Sequence, residues 1–134
     1  MTKSNSWEVS VLNLTFKNAS QTALANVHFA LFTSAPNDAG GGTEVSGGSY
    51  TRVAVATAGS NFIVNSGDPS SAVNAIDITF PIATANWGTI THFGIFDAST
   101  SGIMRYWGAL PVAREILNGD RVICYAGDCV ITED

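Results

Sequence analysis

The chain of 134 residues has the usual size of one domain, and a chain of that length buries about two-thirds of its unfolded surface, enough for one core. Hydrophobic residues make up 46% and charged residues only 13%, where about a quarter is usual. Disorder is excluded, because it needs low hydrophobicity and high charge; a surface so poor in charge suits a protein that lives against neighbours.

The formal charge is −5, and the basic residues Lys3, Lys17, Arg52, Arg105, Arg114 and Arg121 are scattered without a run or stripe. Direct nucleic-acid binding, which draws on clustered cations, is not expected. No apolar stretch approaches the length of a membrane span, so no membrane insertion is expected. The opening MTKSNSWEVS does not have the form of a secretory signal. Synthesis in a cytoplasm, followed by assembly, is the expectation.

Residues Asn5 to Asn18 carry a mixed pattern. Asn5 with Glu8 fits a capping box, and Trp7, Val11 and Leu14 fall on one helical face, while Leu12, Leu14 and Phe16 also alternate like a strand. The cap and the length predict a helix of about three turns. Residues 1–18 then form an N-terminal helix or assembly arm, and 19–134 a single antiparallel β domain.

From there the apolar period is two. Strands are expected at Val27–Thr33, Tyr50–Thr57, Asn61–Asn65, Asn74–Phe80, Thr89–Phe96, Ile103–Leu110 and Asp120–Thr132, the last breaking at Gly127. Between them lie the triple-glycine loop Asp38–Glu44, a turn at Ser66–Ser71, and a hairpin turn over Asp97–Gly102. Short strands at this spacing predict a mainly β fold, an antiparallel β-sandwich or jelly-roll-like domain with one short N-terminal helix.

Chemistry is sparse. His92 could act as a base beside Asp97, but no serine stands in a nucleophile-elbow context. His28 sits in an apolar strand and reads as a core or interface histidine. The carboxylates Asp38, Glu44, Asp68, Asp77, Asp97, Asp120 and Asp128 fall nearly all in turns, where Asp bonds its own backbone; no pair suggests glycoside hydrolysis. The triple glycine lacks the ending of a phosphate loop, and Asp97–Gly102 has too few carboxylates for calcium. Cys124 and Cys129 have no zinc-site spacing. They read as two small thiols, with a local disulfide across the turn at Gly127 left open. No catalytic residue, cofactor or metal is expected.

The aromatics are more informative. Tyr106 and Trp107 are adjacent on one strand and so point to opposite faces; either one faces out, or the strand is buried on both sides. Trp7, Trp87, Tyr106 and Trp107 are the candidate interface residues, since aromatics are enriched at interface centres.

The stretch Leu31-Phe32-Thr33-Ser34-Ala35-Pro36-Asn37-Asp38-Ala39-Gly40, followed by Glu44-Val45-Ser46-Gly47-Gly48-Ser49-Tyr50-Thr51-Arg52-Val53, resembles a family of small tailed-phage virion proteins commonly labelled tail-fibre proteins. The resemblance continues through Ile78-Thr79-Phe80-Pro81, Trp87-Gly88-Thr89-Ile90-Thr91-His92-Phe93-Gly94-Ile95-Phe96-Asp97 and Trp107-Gly108-Ala109-Leu110. Cys124, Cys129 and the pair Met104-Arg105 depart from its usual small or apolar residues. The resemblance implies a non-enzymatic structural component of a bacteriophage virion. One compact core without repeats makes a knob rather than a rod, which places a trimeric capsid decoration or cement protein first. A tail-fibre or tail-tip protein that binds a host receptor glycan is the alternative. The expected partners are further copies of the chain, as a homotrimer, and other phage structural proteins: the major capsid protein or tail components.

Overall fold

The computed structural model describes residues 2–133. Eleven short strands and one helix follow in order: β1 (Thr2–Lys3), α1 (Asn5–Phe16), β2 (Asn26–Ser34), β3 (Thr43–Glu44), β4 (Val53–Ala56), β5 (Phe62–Asn65), β6 (Ser70–Asn74), β7 (Ile78–Thr79), β8 (Gly88–Phe96), β9 (Met104–Ile116), β10 (Ile123–Cys124) and β11 (Val130–Glu133). Every strand pairing is antiparallel. The main sheet has six strands in the order β1-β9-β8-β2-β3, with β4 sharing the outer edge of β2; β10-β7 and β11-β6-β5 form two small sheets. The fold is thus mainly β with one short N-terminal helix, and its second layer is split in two.

Alternation along β2 sorts the core into two clusters. Val27, Phe29 and Leu31 face a large cluster that gathers Val55, Ile78, Phe80, Trp87, Ile90, Ile95 and Ile131 from all three sheets. Ala30 and Phe32 face the other side, where they pack with Met104, Phe96 and Trp107. Gly94 lies beneath this second cluster, and a Cβ there would meet the Phe32 ring at 3.0 Å and Met104 Sδ at 3.3 Å. Met104, which departs from the family pattern, is therefore a second-cluster core residue.

β9 is the longest strand, and its pairing with β8 explains why it reads shorter in sequence. Ile90 pairs with Arg114 and His92 with Ala109, so residues 110–113 bulge opposite Thr91. Pro111, which has no N–H to give a ladder, falls inside that bulge. β6 also departs from expectation, beginning at Ser70 inside the predicted turn. The strand expected over Asn74–Phe80 breaks because the Asn74 side chain, only 1% exposed, bonds the Ile76 and Tyr125 carbonyls at 2.9 Å each.

Helix α1 is capped by Ser4 rather than Asn5: the Ser4 hydroxyl accepts from the Trp7 N–H at 3.3 Å. The same hydroxyl donates to the Met104 carbonyl on β9, which fixes the helix start to the sheet and selects Ser4 over its neighbour. At the other end Asn18 takes a left-handed φ of 55°, and the Ala19 N–H returns to the Asn13 carbonyl at 3.2 Å. The N-terminal segment is joined to the β domain at its root, because β1 pairs with β9 through Thr2–Trp107 and Lys3–Tyr106.

Trp87 is 5% exposed. Its indole N–H donates to the Gly48 carbonyl at 2.9 Å, and its ring meets Tyr50 edge-on at 5.4 Å between centroids. Gly48 has a φ of +55°, and a Cβ on it would stand 2.9 Å from Trp87 Nε1, so only glycine fits there without strain. Replacing Trp87 by alanine is expected to cost about 3–5 kcal/mol, read as a lower urea midpoint at unchanged slope; a loss below 1 kcal/mol on the order-of-magnitude scale of surface changes would contradict its place in the core.

Candidate functional site

Three of the four aromatic candidates come together at one edge of the main sheet, where α1, β1, β9 and β11 meet. Trp7 Nε1 donates to Tyr106 Oη at 3.2 Å, and Tyr106 Oη in turn donates to the Glu133 carboxylate. Lys3 Nζ lies 2.7 Å from the other Glu133 oxygen. The Arg105 guanidinium stacks over the Trp7 ring at 3.9 Å and lies 3.9 Å from Asp97, which accounts for the arginine beside Met104. Trp107 Nε1 donates to Asp38 Oδ1 at 2.9 Å, and the Asp38 carbonyl receives the Asn5 N–H at 2.8 Å. Tyr106 and Trp107 are partly buried and pack on opposite faces of β9, one against each core cluster; at this pair the strand has a neighbour on both sides. Trp87 lies in the large core cluster with its polar atom engaged, and offers no surface to a partner.

Exposed apolar side chains occur on several elements, Val64 of β5 and Val112 of β9 among them, and one group of them lies on α1, at positions not proposed as interface residues from the sequence. Trp7, Ser10 and Val11 are half-buried toward the domain. Val9, Leu12 and Phe16, on the opposite side, are 55%, 54% and 77% exposed, and no residue of the helix is buried. A helix with apolar residues all round is the kind that ends up covered. In the sequence the two faces overlay one another, so the helical and strand-like patterns compete; the outward set at 9, 12 and 16 is the signal that could have found it.

The motif residues form a second constellation at the opposite edge of the sheet. The Arg52 side chain is 7% exposed. Its Nε and Nη2 donate to the two Glu44 oxygens at 2.8 Å each. Nη1 donates to the Ala98 carbonyl at 2.9 Å and the Ser101 carbonyl at 2.8 Å, and the guanidinium stacks on Phe96 at 3.6 Å. Tyr50 Oη donates to Glu44 at 2.9 Å and accepts the Leu31 N–H at 3.0 Å; burial pushes its pKa far up. A cleft of about 430 Å³ opens beside this clamp, between the glycine loop, the 101–104 segment and Ser4 and Ser6.

His92 bonds the adjacent Thr91 hydroxyl at 2.8 Å and stands near the Trp107 ring, 6.2 Å between centroids. Three turn carboxylates hold backbone: Asp97 accepts from Ile103 N at 2.8 Å, Asp120 from Leu117 N at 2.9 Å and Asp77 from Ala126 N at 2.8 Å. Among the described residues no group of three or more His, Cys, Asp or Glu side chains could hold a metal ion.

The sequence pattern of Gp80, described as podophage GP4 fiber I protein gp80, matches residues 2–132. The chain belongs to this family of phage fibre proteins. It is therefore a structural component of the virion, and the family favours the fibre reading, which the sequence put second, over capsid cement. No curated protein matches the chain. In this fibre protein the motif of the glycine loop builds architecture: Glu44, Tyr50 and Arg52 form the clamp, and Gly48 seats Trp87.

Burial first, and then the bond to Glu133, push the Tyr106 pKa from 10.0 up to about 12. A folded-state value above the unfolded one means stability that is fully present below about pH 10 and lost as the pH rises toward 12. Tyr50, also raised, adds to the same alkaline loss. Unfolding free energy measured from about pH 9 to about pH 12 is expected to fall less steeply in Tyr106→Phe than in the wild type; equal slopes would contradict the assignment.

Proposed function

We propose that the chain is a non-enzymatic structural module of a tail fibre, joined to further copies of itself through the outward face of α1. The observation that carries this reading is the uncovered apolar face of Val9, Leu12 and Phe16. Their spacing of three and four residues is that of a helix–helix seam. No charged side chain lies at these three positions, and Glu8 flanks them at the start of the helix. A 12-residue helix is marginal on its own in water, and α1 rests on the domain with only one side. Covering the other side stabilises both the helix and the assembly. The homotrimer is the assembly to test, as a closed ring of the kind symmetric oligomers favour.

The compact domain agrees with this role, because a fibre can be built from knobs joined in series as well as from one long rod. Host-glycan binding has less support. Trp7, Tyr106 and Trp107 spend their polar atoms within the chain, and Arg105 covers the face of Trp7, so they form no open stacking platform.

Antibody to the recombinant protein, carried on gold and imaged on intact virions, is expected to mark the tail fibres. Gold spread over the head would overturn the fibre assignment in favour of decoration. Sedimentation equilibrium separately tests the self-contact: the wild type is expected to be oligomeric and Leu12→Glu monomeric with an unchanged β-type circular dichroism spectrum. A monomeric wild type would overturn assembly through α1.

A further inference from the structure

The turn between β10 and β11 brings the chain's two cysteines together. Tyr125–Asp128 closes a tight turn, with Asp128 N–H donating to the Tyr125 carbonyl at 3.0 Å, and Cys124 and Cys129 flank it. Both are free thiols, both line one groove, and both residues are held by the Asn74 side chain. The buried Asn74 holds this arrangement from below. Its Oδ1 accepts the Cys129 N–H at 2.9 Å and its Nδ2 donates to the Tyr125 carbonyl at 2.9 Å. The same Nδ2 stands 3.9 Å from Cys124 Sγ, and the Asn74 carbonyl receives the Gly127 N–H at 2.8 Å. One side chain thus fixes the backbone on both sides of the cysteine pair.

The two thiols differ in access. Cys129 is 6% exposed and Cys124 half-buried, and both line a groove of about 490 Å³ between residues 110–114 of β9 and 122–124. A hydrogen bond from the Cys129 thiol lowers the Cys124 pKa, and donating it raises the Cys129 pKa, with burial adding to it. The accessible sulfur is the more acidic one, which is the order an attacking and a resolving thiol require.

We propose that Cys124 and Cys129 form a thiol-oxidation site that closes an intramolecular disulfide on meeting a low-molecular-weight disulfide. The Cys124 thiolate attacks one sulfur of the reagent, forms a mixed disulfide and expels one thiolate. Cys129 gives up its proton, attacks Cys124 Sγ and expels the second thiolate. The two protein thiols are oxidised, the reagent disulfide is reduced, and the two thiol protons end on the two released small thiols. The new bond ties the turn before β11 to β10, and so links the two small sheets covalently. The site stands on its own residues and does not depend on the fibre reading.

The test uses the folded wild-type chain incubated with oxidised glutathione and analysed by intact mass and thiol titration. The expected product has lost two hydrogens and both titratable thiols, runs as a single chain on a non-reducing gel, and reverts with excess reduced glutathione. Its Tm rises by roughly 5 °C, as closing a short loop predicts. Cys129→Ser is expected to stop at one glutathione on position 124. Two thiols that persist in the wild type, a stable glutathione adduct that does not close, or disulfide-linked dimers would each overturn the proposal. Because the wild type alone decides among these outcomes, a variant that fails to fold leaves the test intact.

Discussion

The arginine–glutamate pair of the glycine loop is the constraint around which one end of the molecule is organised. A guanidinium as enclosed as that of Arg52 is costly to remove from water unless nearly all its donors are met. Here Glu44 takes two of them side by side, and two carbonyls of the β8–β9 hairpin take two more. The pair therefore fixes four segments at once: the end of the glycine loop, the approach to β4, the 97–102 hairpin and, through Tyr50, the backbone of β2 at Leu31. β3 is only Thr43–Glu44, and its pairing with β2 delivers the carboxylate to the arginine.

The opposite edge is organised by the two-sided packing of β9 at Tyr106 and Trp107. Tyr106 and Trp107 each pack against a core cluster, and their polar atoms tie in Trp7, Glu133 and Asp38. Aromatic side chains with a polar tip suit this position, because the ring is buried while the tip finds a partner at the rim. The helix is thereby held at its root, with its outward side left uncovered. Rigid attachment at one end and an apolar outward face are what an element needs to meet a neighbour in a defined direction.

Most of the fold is legible in the sequence, because alternation over β2, β4, β5 and β8 is strong and the turn residues fall where the chain turns. The errors have identifiable sources. Two good capping residues stand side by side at 4 and 5, and only the bond from Ser4 to the sheet separates them. Pro111 reads as the end of a strand because a bulge that tolerates it leaves no local mark. Asn74 reads as an interior strand residue although its side chain, by capturing carbonyls 50 and 51 positions away in sequence, ends the strand. Trp87 reads as an interface candidate from its place at a turn; its burial depends on Gly48, nearly forty positions upstream. The outward face of α1 is masked for a different reason: a helix apolar on both sides shows no single stripe, so the set at 9, 12 and 16 is overlaid by the inward one. The preference for a capsid role rests on shape alone, which does not separate a knob on a head from a knob in a fibre.

The most direct measurement on the clamp is a double-mutant cycle with Glu44→Gln and Arg52→Met, read by urea unfolding. Glu44→Gln is expected to destabilise by about 2–5 kcal/mol, because it leaves the enclosed guanidinium without its countercharge, and Arg52→Met by less, because Glu44 is partly exposed and keeps its bond from Tyr50. The double variant should cost clearly less than their sum, with a coupling of about 1–3 kcal/mol. Additive losses within about 0.5 kcal/mol would contradict the account, and would mean that the loop and the hairpin are held together by packing on Phe96 and Tyr50 rather than by the ion pair.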